Sequence, residues 1–290
     1  NDLPMSEKRL LKVLLVDDEP YILNGLSKLI DWEACGYEIA GLCSRASAAL
    51  ELALATRPQL MILDIEMPGM SGLELENTCS AFVAAGNRSY YGIETDVHRT
   101  SDGHFIIIHD DNTKRVAQDE MIVENTCYET LRAIRLCDKD GKKGRKDLLM
   151  PSLQEYVQIC KKYDKTSVLE LKNHFQPADI DAIIDIIRQE GWLERTIFIS
   201  FDLMNMICIR ERLPQQKAQF LVSTYPDWLE DTLKKYSLDL DIYYKALTAE
   251  RVQALHDAGI EVNVWTVDTL EDAQRMVEYG VDYITSNIVE

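Results

Sequence analysis

Short apolar runs alternate with helical repeats along most of the chain. The first run, Val13-Leu14-Leu15-Val16, ends in Asp17-Asp18-Glu19-Pro20. This predicts a strand closing on acids, then a helix with Asp18 as N-cap and Pro20 in its first turn. Ile22, Leu23, Leu26, Leu29 and Ile30 recur at helical spacing, and residues 37–42 and 60–65 predict further strands with a helix over 46–55 between them. The opening therefore reads β-α-β-α-β. Beyond Gly69, strands are predicted at 91–97, 104–109, 167–171, 196–201, 219–223, 262–267 and 283–285, with helices at 179–189, 249–258 and 269–278. Strands separated by helices imply parallel β-α units. Residues 138–147, made up of lysine, arginine, aspartate and glycine, predict an exposed loop. The repeated Glu-Asn-Thr-Cys at 76–79 and 124–127 is taken as coincidence, since no longer period accompanies it.

Composition narrows the class without changing this picture. At 290 residues, 46% hydrophobic and 28% charged, the chain can bury one large core or two modest ones. No stretch reaches the roughly 18 to 20 apolar residues of a membrane span, and Asn1-Asp2-Leu3-Pro4 lacks the pattern of a secretory leader, so a soluble protein is expected. The seven scattered cysteines form no CxxC pair, which fits a reducing cytoplasm. A net charge of −18 disfavours nucleic-acid partners and requires a local positive centre, such as a metal ion, for any anionic substrate. Oligomeric state is left open.

An acidic pair after the first strand and an aspartate after the third would bring Asp17, Asp18 and Asp64 to one edge of a parallel sheet. Residues 13–20, with Met61-Ile62-Leu63-Asp64-Ile65-Glu66-Met67-Pro68-Gly69, resemble the receiver domain of response regulators, a flavodoxin-like fold. The resemblance implies magnesium at Asp17 and Asp18 and phosphoryl acceptance at Asp64. It covers about the first quarter of the chain. The hydroxyl residue and lysine that the family carries after its fourth and fifth strands have no counterpart in context. The three acids also read as retained strand-end residues.

In the second part, Gly92-Ile93-Glu94-Thr95-Asp96-Val97 places two acids on one strand face, where one cation could bridge them. Residues 105–110 deliver His109 and Asp110 after a strand, and Val168-Leu169-Glu170-Leu171-Lys172 adds a carboxylate and a lysine. In a parallel barrel such strand ends converge at one mouth. Taken singly, each of these is more simply a solvated edge, a hydrogen-bonded histidine or a core tryptophan. Their joint order, with Glu76-Asn77-Thr78, residues 100–103 and Trp265-Thr266-Val267, resembles glycerophosphodiester phosphodiesterases. The resemblance implies an α/β fold of TIM-like barrel type and a glycerophosphodiester substrate. It implies calcium or magnesium on Glu94, Asp96 and Glu170, acid-base chemistry at His109, phosphate contact by Lys172, and a pocket wall at Trp265. His98 and His104 match no catalytic position and are expected to be structural.

That family opens with a strand ending in His-Arg-Gly, and this sequence contains no such tripeptide. Spacing back from Glu76 places Met67-Pro68-Gly69 in its stead and Leu75 where a proline is usual. Residues 1–75 are therefore expected to form a truncated receiver-like segment that supplies the barrel's first strand, and 76–290 the rest of the barrel, in one fused core without a flexible linker. Asp64 would then reach the barrel mouth as a possible extra ligand. Ten strands are predicted where a barrel requires eight, so those at Val13 and Tyr37 enter an enlarged barrel or lie outside it. Loss of one general acid-base group costs ~10² to 10⁴ in rate. Three functions remain open: a hybrid scaffold with little or no activity, favoured here and suggestive of design because the join falls at an equivalent strand; an active metal-dependent glycerophosphodiester hydrolase; and a phosphoacceptor module at Asp64.

Overall fold

The computed structural model describes residues 10–17, 20–44, 49, 52–53, 55–63, 76–117, 119–137 and 148–289. Asp18, Asp64, Met67-Pro68-Gly69, Leu75 and the loop expected at 138–147 lie outside the described residues. The chain divides into two compact units, Asn1–Glu74 and Leu75–Glu290.

In the first unit, β1 (Leu11–Val16) lies between β2 (Tyr37–Cys43) and β3 (Leu60–Leu63), all parallel. Val13 and Leu15 pack with Leu23 and Trp32 on one face, while Leu14 and Val16 pack with Cys43 and Ala49 on the other. Burial on both faces explains why β1 reads as an unbroken apolar run. The strands at Val13 and Tyr37 thus share their own sheet. Residues 60–63, expected as the barrel's opening strand, hydrogen-bond to β1 at the edge of that sheet.

The second unit is built on an eight-stranded sheet. Its strands are β4 (Gly92–Arg99), β5 (Phe105–Ile107), β6 (Thr166–Leu171), β7 (Thr196–Ser200), β8 (Ala218–Val222), β9 (Asp239–Tyr243), β10 (Val262–Trp265) and β11 (Tyr283–Ile284), in the order β11-β10-β9-β8-β7-β6-β4-β5. Seven run parallel. β5 instead returns antiparallel along β4, pairing Val97 with Ile107 and Arg99 with Phe105. The uniform parallel pattern expected from the sequence fails there because residues 100–104 form a tight turn, with Thr100 Oγ1 donating to Asp102 Oδ1 and Gly103 at a φ of +85°. Such a turn leaves no room for a crossover helix.

β9 was not predicted. Its Leu-Asp-Leu-Asp-Ile alternation has the period of a strand, but aspartate is a poor strand former and weakened the signal. The sheet curls enough to bring Tyr91, just before β4, within 5.7 Å of Tyr283 on β11 between ring centroids.

Alternation sorts the side chains cleanly. Ile93, Val97, Leu169, Leu171, Phe198 and Leu240 belong to the large core with the surrounding helices, of which Cys79–Gly86, Leu153–Lys162 and Pro177–Gln189 are examples. Ile197, Ile199 and Leu221 pack together on the opposite, concave face with Val168 and Trp265. Residues that alternate with the helix-facing set, Glu94, Asp96, Glu170 and Asp241 among them, therefore share the concave face.

Candidate active site

β4 and β6 run parallel with Asp96 opposite Glu170, so one side-chain period places Glu94, Asp96 and Glu170 together. One ligand oxygen from each lies within 4.8 Å of the others. Gly92 helps set this register, because a Cβ there would stand 2.8 Å from the Thr166 carbonyl oxygen. Lys172 Nζ reaches Asp96 Oδ1 at 3.3 Å and Glu170 Oε1 at 3.2 Å. Asn77, in a left-handed conformation at φ +55°, donates to Asp96 Oδ2 at 2.9 Å and accepts from the Thr95 hydroxyl.

Burial, followed by the neighbouring charges, perturbs every member of the group that shows a shift. Burial, then the charges of Asp96 and Glu170, raises Glu94 well above the carboxylate range, with Lys172 offsetting only part. Burial and the charge of Asp96 push Glu170 up to about 7. Burial opposes charge on Lys172, but Asp96 and Glu170 outweigh it and raise its pKa. Three carboxylates beside one ammonium cannot all stay ionised without cost, and either a proton or a cation relieves the repulsion. An all-oxygen donor set suits a hard divalent ion such as calcium or magnesium. The residues present fit such an ion.

His109 follows β5 and is half exposed. Its Nδ1 pairs with Asp110 Oδ1 at 2.8 Å, and Nε2 lies outside that pair. Asp110 receives two hydrogen bonds from Arg115 at 2.8 and 2.9 Å, and these hold its carboxyl far below the usual range. Arg115 also pairs with Glu76, tying the start of this unit to the His109 loop. His98 is buried, with Nε2 3.4 Å from the His109 carbonyl and Nδ1 3.3 Å from Asn173 Nδ2, and burial lowers its pKa. Arg99 pairs with Asp179 at 2.8 Å. His98-Arg99 is thus spent on structural contacts and does not replace the absent His-Arg pair. His104 stacks on Tyr128 at 5.0 Å.

Trp265 ends β10 on the concave face, with Phe201 and Tyr243 at ring distances of 5.7 and 5.5 Å. Together they make an aromatic wall. Asp17 is buried at the end of β1, in the other unit. Three contributors escaped the sequence reading: the Asp110–Arg115 pair, Asn77 as a brace for Asp96, and Asp241 on the unpredicted β9. Asp241 is 2% exposed, and burial followed by the charge of Glu170 pushes it up to about 8.

The glycerophosphoryl diester phosphodiesterase family model matches residues 68–290. The chain belongs to that family. The response regulator receiver domain model matches residues 13–81, so the chain joins family segments of two kinds. A glycerophosphodiester phosphodiesterase of Caldanaerobacter subterraneus subsp. tengcongensis is 28% identical over 216 residues, covering 73% of this chain and 88% of the relative. The N-terminal part is 41% identical over 70 residues to the uncharacterized transcriptional regulatory protein YesN of Bacillus subtilis, covering 24% of this chain and 19% of that protein. An Oleispira antarctica phosphodiesterase, solved with the product sn-glycerol-3-phosphate, superposes with a TM-score of 0.69 at 23% identity, over 76% of this chain and 90% of that one. The fold of this phosphodiesterase-family member is therefore a TIM-like barrel, with a receiver-derived segment ahead of it. Among the described residues, no helix is long and apolar enough to cross a membrane.

Proposed function

We propose that the barrel is a divalent-cation site for glycerophosphodiesters whose hydrolytic turnover is very low, on a hybrid scaffold. The observation that carries this reading is the convergence of Glu94, Asp96 and Glu170 within 4.8 Å, with Lys172 beside them. A bound calcium or magnesium ion would supply charge stabilisation for phosphoryl oxygens. Lys172 would neutralise a further phosphate oxygen while remaining braced by Asp96 and Glu170. Phe201, Tyr243 and Trp265 would shield the alcohol group from water. His109 Nε2 would move one proton, with Asp110 holding the ring.

Phosphodiester cleavage needs a base for the nucleophile and an acid for the leaving oxygen. One histidine cannot serve both ends at once. The missing partner costs ~10² to 10⁴ in rate, and the missing arginine removes a preorganised cationic donor worth about 10² or more.

The test is metal-dependent hydrolysis of glycerophosphocholine by the full chain beside its His109→Ala variant, with calorimetric titration of calcium and magnesium. Cation binding that Glu94→Gln and Asp96→Asn abolish, with little or no turnover above His109→Ala, is expected. Turnover in the range ordinary for hydrolases would make the chain an active glycerophosphodiester hydrolase. Absence of any cation response would end the metal-site reading.

A further inference from the structure

On β9, Leu240 and Ile242 belong to the core shared with the helices, so Asp241 between them faces the concave side with Glu94, Asp96 and Glu170. In register it stands opposite Leu221 of β8 and Asn263 of β10. Its side chain is almost wholly buried, yet Asp241 Oδ1 has no hydrogen-bond partner. Asn263 interacts with the Asp241 carboxyl but leaves Oδ1 without a partner. Asn263 Nδ2 donates to Gln219 Oε1 at 3.2 Å, and Thr285 Oγ1 donates to Asn263 Oδ1 at 3.4 Å. Lys172 is committed to Asp96 and Glu170.

A buried acceptor left without a donor is costly and rare in native proteins. Strand alternation turns Glu170 and Asp241 to the same concave interior, because Leu169, Leu171, Leu240 and Ile242 on either side of them join the helix-facing core. The close cluster of ligand oxygens nevertheless comprises Glu94, Asp96 and Glu170 without Asp241. A group that belongs to the same interior but stands outside the direct ligand set has the position of an outer-sphere partner. Water on a divalent ion is a strong donor and would satisfy the orphaned oxygen.

We propose that Asp241 is a positioning residue that accepts a hydrogen bond from a water carried by the cation on Glu94, Asp96 and Glu170, anchoring the hydrated ion in the barrel. The inference rests on the metal-site reading above and adds to it a fourth carboxylate from the far side of the sheet. Partners of this type change metal affinity without touching the ion.

The experiment is calorimetric titration of the full chain and of Asp241→Asn with calcium and, separately, magnesium, together with thermal unfolding with and without each ion. Outer-sphere anchoring predicts an affinity loss of about 10- to 100-fold in Asp241→Asn. It also predicts a smaller cation-induced rise in Tm, because stabilisation follows the ratio of ligand concentration to Kd. In the metal-free state the variant is expected to melt at or above the parent, since an amide of the same shape replaces a carboxyl whose charged form burial already disfavours. A purely structural role gives the opposite sign, a lower metal-free Tm with unchanged cation affinity, and would overturn the proposal. Equal affinity in the two proteins would overturn it as well, leaving the metal site intact. A parent chain that shows no cation response would instead remove the metal site itself.

Discussion

At Glu170, burial and the charge of Asp96 lift the pKa from 4.5 to about 7, while Lys172 pulls the other way. The folded, metal-free protein therefore binds more protons than the unfolded chain between these values, and this residue's contribution to stability falls as pH rises through that window. Cation binding must displace the same proton, and Glu94 is raised in the same direction. Affinity for calcium or magnesium is accordingly expected to be weaker at pH 6 than at pH 8, with proton uptake by the buffer on binding at pH 6. Calorimetry in two buffers of different ionisation enthalpy measures both quantities, and a pH-independent affinity would contradict the assignment of Glu170 as a ligand. The residue types of this site were legible in the sequence because Glu94-x-Asp96 and Glu170-x-Lys172 each lie within one strand period. Their braces were not, since Asn77 and Arg115 reach their partners across 19 and 5 positions along the chain.

Among the elements, the β4–β6 pair carries the site, and its spacing depends on a residue without a side chain. Gly92 sits where a Cβ would meet the Thr166 carbonyl oxygen at 2.8 Å and the Thr166 Cβ at 3.3 Å. Backbone cannot retreat as a flexible side chain can. Gly92→Val is expected to destabilise the barrel by roughly 1 to 3 kcal/mol through overpacking, and to weaken cation binding by shifting Asp96 relative to Glu170. Urea unfolding and the cation titration read these two effects separately, and a variant with parental values in both would show that the strands tolerate the added bulk. Most strands were legible from alternation or apolar runs, and the amphipathic helices such as Pro177–Gln189 from their spacing. β5 was found but its direction was not, because pairing direction depends on the turn at 100–104. β9 was overlooked because two aspartates break up its apolar run along the chain, and in the fold both lie away from the helix core that Leu240 and Ile242 join.

For the whole molecule, the two compact units differ greatly in what they bury. The second unit's main core runs from Phe82 to Met276 across the sheet and its helices, whereas among the described residues the first has two small clusters around β1. Leu29 and Tyr21 in the first unit remain largely exposed. Small cores support little stability, so thermal unfolding is expected to show two transitions, with residues 1–74 melting first. Near-UV circular dichroism and limited proteolysis would follow them, and a single transition by both probes would mean one shared cooperative core. The sequence by itself determined that two β-α segments of different ancestry meet in one chain, that three acids and a lysine lie on or just after two strands, and that the His-Arg-Gly tripeptide is absent. Each of these is a matter of local pattern or residue identity. Only the tertiary structure decided that β1, β2 and β3 form a sheet of their own, that β5 turns back along β4, that Lys172 sits between two carboxylates, and that Asp241 faces the same interior as Glu170. Those facts follow from strand order and register, which bring together residues about 70 positions apart through hydrogen bonds that no local spacing encodes.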